Sequence, residues 1–336
     1  MSKPYDWSIE NTMEAKIEKV IELKDLKTYF FTKKGIVKAV DGISFSIDHG
    51  EIVGLIGESG SGKSITSLSI LRLVPQPTGK TIGGEILFHG ENLLDKREDQ
   101  MKKLRGDKIS MTLGNPIVSL NQILSVEFQI SEMFKRHSRT IIGSLKDVCL
   151  NVLNGFRIKD DPFKLSRDIK QKAIIGLGVS NNPDLLIADE PTTDLDETAK
   201  TQVLELMERF QKQTNAAILM ITADLPAAEQ ICSRILVMYA GKIVEKASVK
   251  AFYQSPKHPY SIGLINSAPK LEKKGDQLNS TEGQLQDILD PHVGCRFASK
   301  CEKVKTICTE NHPPEITLED DHRVSCWLYA EQFPAS

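Results

Sequence analysis

An α/β fold with a mainly parallel sheet covered by helices is what this sequence predicts, on three observations. Four short apolar runs, Ile52–Ile56, Leu185–Ala188, Ala216–Ile221 and Ile235–Tyr239, are separated by stretches of helical pattern. Runs of that length read as strands buried on both faces, and strands alternating with helices build parallel sheets. Residues 21–56 alternate apolar and polar positions in several short runs, the period of antiparallel strands. A chain of 336 residues is long for one domain and suits a large α/β domain with a smaller appendage.

In chain order, the first twenty residues are polar, contain no apolar core and read as an N-terminal extension rather than a secretory signal. Ile36–Val40 and Ile43–Ile47 are the clearest alternating runs, bounded by turn residues at Lys33-Lys34-Gly35 and Asp48-His49-Gly50. Ile52–Ile56 leads into a glycine-rich loop. The segment Ile65–Leu73, with Leu68 and Leu71, then reads as a packed helix. Residues 122–180 are mostly helical in pattern, with a break at Asp160-Asp161-Pro162. After about residue 255 the texture changes to His258-Pro259-Tyr260, a polar stretch at 270–290 and four of the six cysteines.

Composition narrows the function classes. The chain is 40% hydrophobic and 26% charged, the balance of a soluble globular protein. Its formal net charge of −2 argues against general binding to nucleic-acid backbones. No run approaches the roughly 18 apolar residues that span a bilayer, so a membrane role is expected only through a partner. Cysteines without an export signal point to a reducing compartment.

The loop Gly57-Glu58-Ser59-Gly60-Ser61-Gly62-Lys63-Ser64 has the Gly-x-x-x-x-Gly-Lys-Ser spacing of a phosphate-binding loop, placed between a strand and a helix as that motif requires. Its glycines let successive backbone N–H groups face an anion, and the helix N-terminus adds partial positive charge. Lys63 suits the β- and γ-phosphates of ATP, the Ser64 hydroxyl suits Mg²⁺, and Ile65 completes the set of candidate nucleotide contacts. Leu185–Ala188 ends in Asp189 and Glu190, which a parallel sheet delivers to the same edge as the loop. Asp189 suits the Mg²⁺ shell and Glu190 suits polarisation of an attacking water.

Together with Glu58 and Ser59, the runs Asp189-Glu190-Pro191-Thr192-Thr193-Asp194-Leu195-Asp196 and Val237–Glu245 resemble the ATP-binding-cassette (ABC) proteins. Pro256-x-His258-Pro259-Tyr260 and Gly294-Cys295-Arg296-Phe297 are similar to the ATP-binding subunits of oligopeptide, dipeptide and nickel importers. The resemblance covers roughly 21–330. It implies a P-loop nucleotide-binding domain at 21–255, with an antiparallel β subdomain and a helical subdomain at about 115–175. A small cysteine-rich C-terminal domain at 256–336 follows.

The resemblance further implies a head-to-tail heterodimer with a second ATPase subunit, each ATP lying between one chain's P-loop and the other's Leu-Ser-Gly-Gly signature. Two transmembrane permease subunits, served by an extracytoplasmic peptide-binding protein, are the implied partners, and the cytoplasmic face of the membrane is the implied location. By position, Phe30 or its neighbour Tyr29 resembles the aromatic that stacks on adenine.

Three family positions are altered. The Q-loop glutamine is replaced by Gly114, the switch histidine by Ala223, and the signature reads Leu165-Ser166-Arg167-Asp168. Losing one preorganised donor at developing charge typically costs about 100- to 1,000-fold in rate, roughly 3–4 kcal/mol. Gly114 and Ala223 are expected to slow hydrolysis at this chain's own site while leaving nucleotide binding in place. An ionised Asp168 about 4 Å from a phosphate charge would be repelled by roughly 4 kcal/mol at an effective dielectric near 20, unless Arg167 turns toward the phosphate. The alternative role is a regulatory scaffold that binds nucleotide without hydrolysing it.

Cys295, Cys301, Cys308 and Cys326 bring four thiols into one short tail segment. Such a set can hold a tetrahedral Zn²⁺ or an iron–sulfur cluster, and the spacing alone does not choose. The resemblance implies a [4Fe–4S] cluster, with Zn²⁺ and unligated or disulfide-bonded thiols as alternatives. Cys149 and Cys232 read as core residues, and His258 as a structural turn residue rather than a ligand.

Overall fold

The computed structural model describes residues 18–115, 119–136, 162–267, 289, 291 and 293–330. Two sheets carry it. β1 (Lys19–Thr32), β2 (Gly35–Asp48), β4 (Gly79–Phe88) and β5 (Glu91–Asn92) form an antiparallel sheet in the order β2-β1-β4-β5. The two alternating runs of the sequence lie in one 14-residue strand, β2, paired along β1 with several register shifts.

The second sheet has eight strands in the order β11-β12-β10-β9-β3-β8-β7-β6. Its parallel part comprises β9 (Arg234–Tyr239), β3 (Ile52–Ile56), β8 (Ala217–Thr222), β7 (Leu185–Asp189) and β6 (Ile109–Leu113). β10 (Lys242–Ser248) turns back antiparallel on β9, and the short β12 (Arg323–Val324) and β11 (Ile316–Thr317) extend that edge.

The two-residue period of these strands divides the core. Val53, Leu55, Ile187, Leu219, Leu236 and Met238 point to one face and pack with Ile21, Leu23, Ile43 and Ile86 of the antiparallel sheet. Ile52, Ile56, Leu186, Ile218, Met220 and Val237 point to the other face and pack under helices. In chain order the helices are α1 (Lys63–Ile70), α2 (Glu98–Leu104), α3 (Val126–Arg136), α4 (Arg167–Val179), α5 (Glu197–Thr214), α6 (Leu225–Ile231), α7 (Val249–Gln254), α8 (Pro259–Ser267), α9 (Thr306–Glu310) and α10 (Trp327–Ala330). α4 and α5 supply Ile175, Val179, Val203, Met207 and Phe210 to the helical face. Cys232 lies in that core as expected, and burial pushes its thiol up to about 12. Cys149 and residues 116–118 and 137–161 of the expected helical subdomain fall outside the described residues.

The tail departs from the expectation of a small separate domain. Among its described residues no hydrophobic cluster is its own; Tyr260 and Phe297 pack instead into the helical-face core. β12 pairs with β10, and buried charges complete the join. The Arg296 guanidinium, 6% exposed, pairs with Asp41 and donates to the Ala240 carbonyl at 2.8 Å. Glu245, 1% exposed, accepts from His322 Nε2 at 2.7 Å and from the His258 and Lys257 N–H groups at 2.7 and 2.8 Å. A segment with so few apolar residues gains more by covering an existing core than by forming one.

Candidate functional site

The parallel strands deliver the predicted residues to one edge. β3 ends at Ile56 and the chain turns through the glycine loop into α1. At Gly57, with φ of 155°, a Cβ would come within 2.2 Å of the Met238 carbonyl oxygen. At Gly62, with φ of 109°, a Cβ would meet the Ala39 carbonyl oxygen at 2.1 Å. The loop therefore lies directly on the end of β9 and on the body of β2, an approach open only to glycine.

Lys63, 6% exposed, curls back over the loop, and its ammonium donates to the carbonyls of Gly57 at 2.6 Å and Glu58 at 2.9 Å. Burial lowers its pKa, opposed by the negative charges of Glu190, Asp189 and Glu58. The Ser64 hydroxyl donates to Asp189 Oδ1 at 3.2 Å, so the two expected Mg²⁺ groups are neighbours. Burial raises the Asp189 pKa and the adjacent Glu190 adds to the rise, while Ser64 and Lys63 oppose it. A dication there would reverse that balance. This donor set, a hydroxyl and a carboxylate in contact beside an ammonium, fits Mg²⁺ and a triphosphate.

Glu190, at φ 52°, follows the end of β7. Its Oε2 accepts from the Thr193 hydroxyl at 3.0 Å, and lies 3.4 Å from both the Thr222 hydroxyl and the Ala223 N–H. Thr193 and Thr222 position this carboxylate and were not singled out by sequence reasoning. Gly114 stands against the same corner. A Cβ there would meet the Glu190 carbonyl oxygen at 2.5 Å, Glu190 Cβ at 2.9 Å and the Asp189 carbonyl oxygen at 3.0 Å. The loop after β6 has closed onto the acidic pair, into space that a longer side chain would need. Ala223 meets Glu190 through its backbone alone.

The signature positions open α4. Ser166 caps it in extended conformation, and Arg167 Nη2 reaches Asp194 Oδ2 at 2.6 Å rather than turning outward. The Ser166 hydroxyl beside Asp168 holds that carboxyl below its ordinary range against partial burial. Phe30 is partly buried on the antiparallel sheet with its ring edge against Gly79, where a Cβ would come within 2.8 Å. The Tyr29 hydroxyl donates to Asp41, the carboxylate that also pairs with Arg296. On the β6 side, Leu73, Leu113, Leu124 and Phe128 border a groove of about 770 Å³ between β6, α3 and α4.

The tail reaches the phosphate loop. The Glu58 N–H donates to the Tyr260 hydroxyl at 2.9 Å, and the Tyr260 ring packs on Tyr239 with centroids 4.6 Å apart. Just beyond Tyr260, Cys295, Cys301, Cys308 and Cys326 line one small cavity with His258, Phe297 and Trp327. Burial raises the thiols of Cys295 and Cys301, and pushes Cys326 up to about 11. None of the five described cysteines forms a disulfide. Among the described residues, no three His, Cys, Asp or Glu side chains are gathered to metal-ligating positions. The four thiols thus share a cavity without being drawn into a closed shell. Their donor chemistry is that of a four-thiolate site, and another residue of the same lining, His258, has a buried Nε2 with no hydrogen-bond partner among the described residues.

Comparison with known proteins agrees with this geometry. Residues 40–193 match the ABC transporter family, and residues 244–308 match the C-terminal region of oligopeptide/dipeptide transporters. The chain is 41% identical over 322 residues to the oligopeptide transport ATP-binding protein AppD of Bacillus subtilis, covering 93% of this chain and 98% of that protein. It is 37% identical over 319 residues to the dipeptide transport ATP-binding protein DppD of the same organism, covering 93% and 95%. Among solved structures, an ATP-binding cassette dimer in a post-hydrolysis state with ADP and phosphate aligns with a TM-score of 0.60 at 23% identity, covering 68% of this chain and 98% of that one. From the phosphate loop to the tail, the chain belongs to the ATP-binding proteins of ABC transporters, in the oligopeptide/dipeptide branch.

Proposed function

We propose that this chain binds Mg-ATP as one ATPase subunit of a peptide importer, paired head to tail with a second ATPase subunit, and that its own site hydrolyses slowly. The observation that carries this is the contrast around Glu190. Lys63, Ser64, Asp189 and the loop amides stand assembled on one side, while Gly114 and Ala223 offer only backbone on the other. Mg²⁺, held by Ser64 and Asp189, would supply charge neutralisation at the β- and γ-phosphates. Lys63 exchanges its two carbonyl partners for phosphate oxygens, Glu190 orients the attacking water, and Phe30 or Tyr29 supports the adenine.

Peptides as cargo follow from the named functions of the relatives, AppD and DppD. Two permease subunits, fed by an extracytoplasmic peptide-binding protein, complete the complex in this reading, with the chain on the cytoplasmic face. Among the described residues no helix is long and apolar enough to cross a membrane. The groove beside β6, with Leu73 47% and Phe128 45% exposed, suits an apolar permease segment. The tail cysteines are proposed to hold a [4Fe–4S] cluster, with Zn²⁺ as the alternative.

A second reading, a scaffold that binds nucleotide but does not turn it over, is favoured by the closure of the Gly114 loop onto Glu190. Glu190→Gln in the assembled transporter separates the two. A collapse of ATP turnover supports a working site, and an unchanged rate supports the scaffold.

A further inference from the structure

One polar group in the cysteine cavity is explained by neither the thiols nor the fold. His258 lines that cavity, is 1% exposed, and its Nε2 is buried with no hydrogen-bond partner among the described residues. The backbone fixes its tautomer. Nδ1 accepts the Tyr260 N–H at 3.1 Å, so in the neutral ring the proton sits on Nε2. Glu245 holds the His258 N–H at 2.7 Å and Pro259 opens α8, so the residue is anchored on both sides. The result is a rigid buried N–H donor on a residue that lines one cavity with cysteine, aromatic and aliphatic side chains. Folded proteins rarely leave such a donor unpaired, and an ion or group bound nearby is a common reason. A metal-bound thiolate carries the negative charge that makes sulfur a good acceptor.

We propose that His258 donates its Nε2–H to a cysteine sulfur of a thiolate-ligated metal group held by Cys295, Cys301, Cys308 and Cys326. The inference rests on the metal reading of this cavity. It assigns His258 as a positioning and tuning residue, not a ligand, because its Nδ1 lone pair is already used. Hydrogen bonds to cluster sulfurs offset the negative charge added on reduction, and so raise the reduction potential.

The test uses the full chain, purified anaerobically and reconstituted with ferrous iron and sulfide, as wild type, His258→Leu and His258→Gln. Wild type is expected to take up iron, and His258→Leu to retain it with a lower midpoint potential. A tenfold loss of reduced over oxidised form at the wild-type midpoint corresponds to about 59 mV for one electron. His258→Gln, whose amide N–H extends about as far as Nε2, is expected to return most of that shift. A midpoint unmoved in His258→Leu overturns the role of His258 and leaves the metal reading standing. If the chain takes zinc instead, cobalt(II) replaces iron, and an unmoved thiolate-to-cobalt absorption band in His258→Leu overturns the role equally. Uptake of neither iron nor zinc by wild type overturns both readings.

Discussion

The binding half and the cleavage half of the nucleotide site are built by different means. The binding half is mostly backbone: a loop pinned onto β9 and β2 at Gly57 and Gly62, with one ammonium and one hydroxyl-carboxylate contact added. In the proposed reading the cleavage half rests on side chains that must converge from separate strand ends, and two of those positions, Gly114 and Ala223, bring no polar side chain. A backbone cradle persists as long as the strand-loop-helix unit folds, whereas a side-chain constellation can be lost one position at a time. In the function proposed above, nucleotide affinity and nucleotide turnover are separable.

Four changes test that separation. The largest effect is expected from restoring the cleavage half. Ala223→His combined with Gly114→Gln should raise ATP turnover of the assembled complex by up to about 100- to 1,000-fold, the worth of a preorganised group at developing charge. Most of the gain should come from Ala223→His, because a side chain at 114 must first displace the loop from Glu190. No rise in the double variant would refute slow hydrolysis from these losses.

Lys63→Ala comes next. Loss of a charge-assisted contact of about 1.5–3 kcal/mol should weaken Mg-ATP binding by roughly 10- to 100-fold, read by titration of labelled nucleotide onto the isolated chain. Unchanged affinity would mean that the cradle does not grip phosphate through this residue.

Tyr260→Phe should have a smaller effect, about fivefold in affinity, by removing one acceptor that holds the Glu58 N–H in place. Its turnover relative to bound nucleotide should stay the same, which distinguishes a loop-positioning role from a catalytic one.

The smallest expected effect is on stability at low pH. Burial opposes ionisation of Glu245, but His322 and the Lys257 and His258 N–H groups together hold its carboxyl below the ordinary value of 4.5. With the folded pKa below the unfolded one, the contribution is full above the unfolded value and is lost as pH falls through the folded one. Thermal melts of wild type should drop below about pH 4.5 more steeply than those of His322→Ala, which has already lost one of these partners. Parallel curves would show that the pair does not weld the tail to the sheet.

Much of the site was legible because its parts are local in the chain. The phosphate loop is eight consecutive residues between a buried strand and a helix, and backbone geometry alone turns them into an anion nest. Asp189 and Glu190 follow an apolar strand, and parallel pairing through β8 brings that strand end to the loop. Residue type and spacing were enough to place these residues side by side, and the alternating and continuous apolar runs were enough to find the two sheets.

Tertiary structure alone decided the rest. Tyr260 meets Glu58 from 202 residues away and Arg296 meets Asp41 from 255, so no local pattern announces that the tail braces the phosphate loop and the strand beside it. Whether the tail would stand apart or add strands to the main sheet depended on which core its few apolar residues could cover. The loop at Gly114 packs so close to Glu190 that a Cβ there would clash, a contact between separate strand ends. The sequence by itself determined which chemical groups the protein owns and the short-range geometry that follows from backbone sterics. Folding decided which of those groups meet across distant segments, because contacts between them depend on the packing of the whole chain.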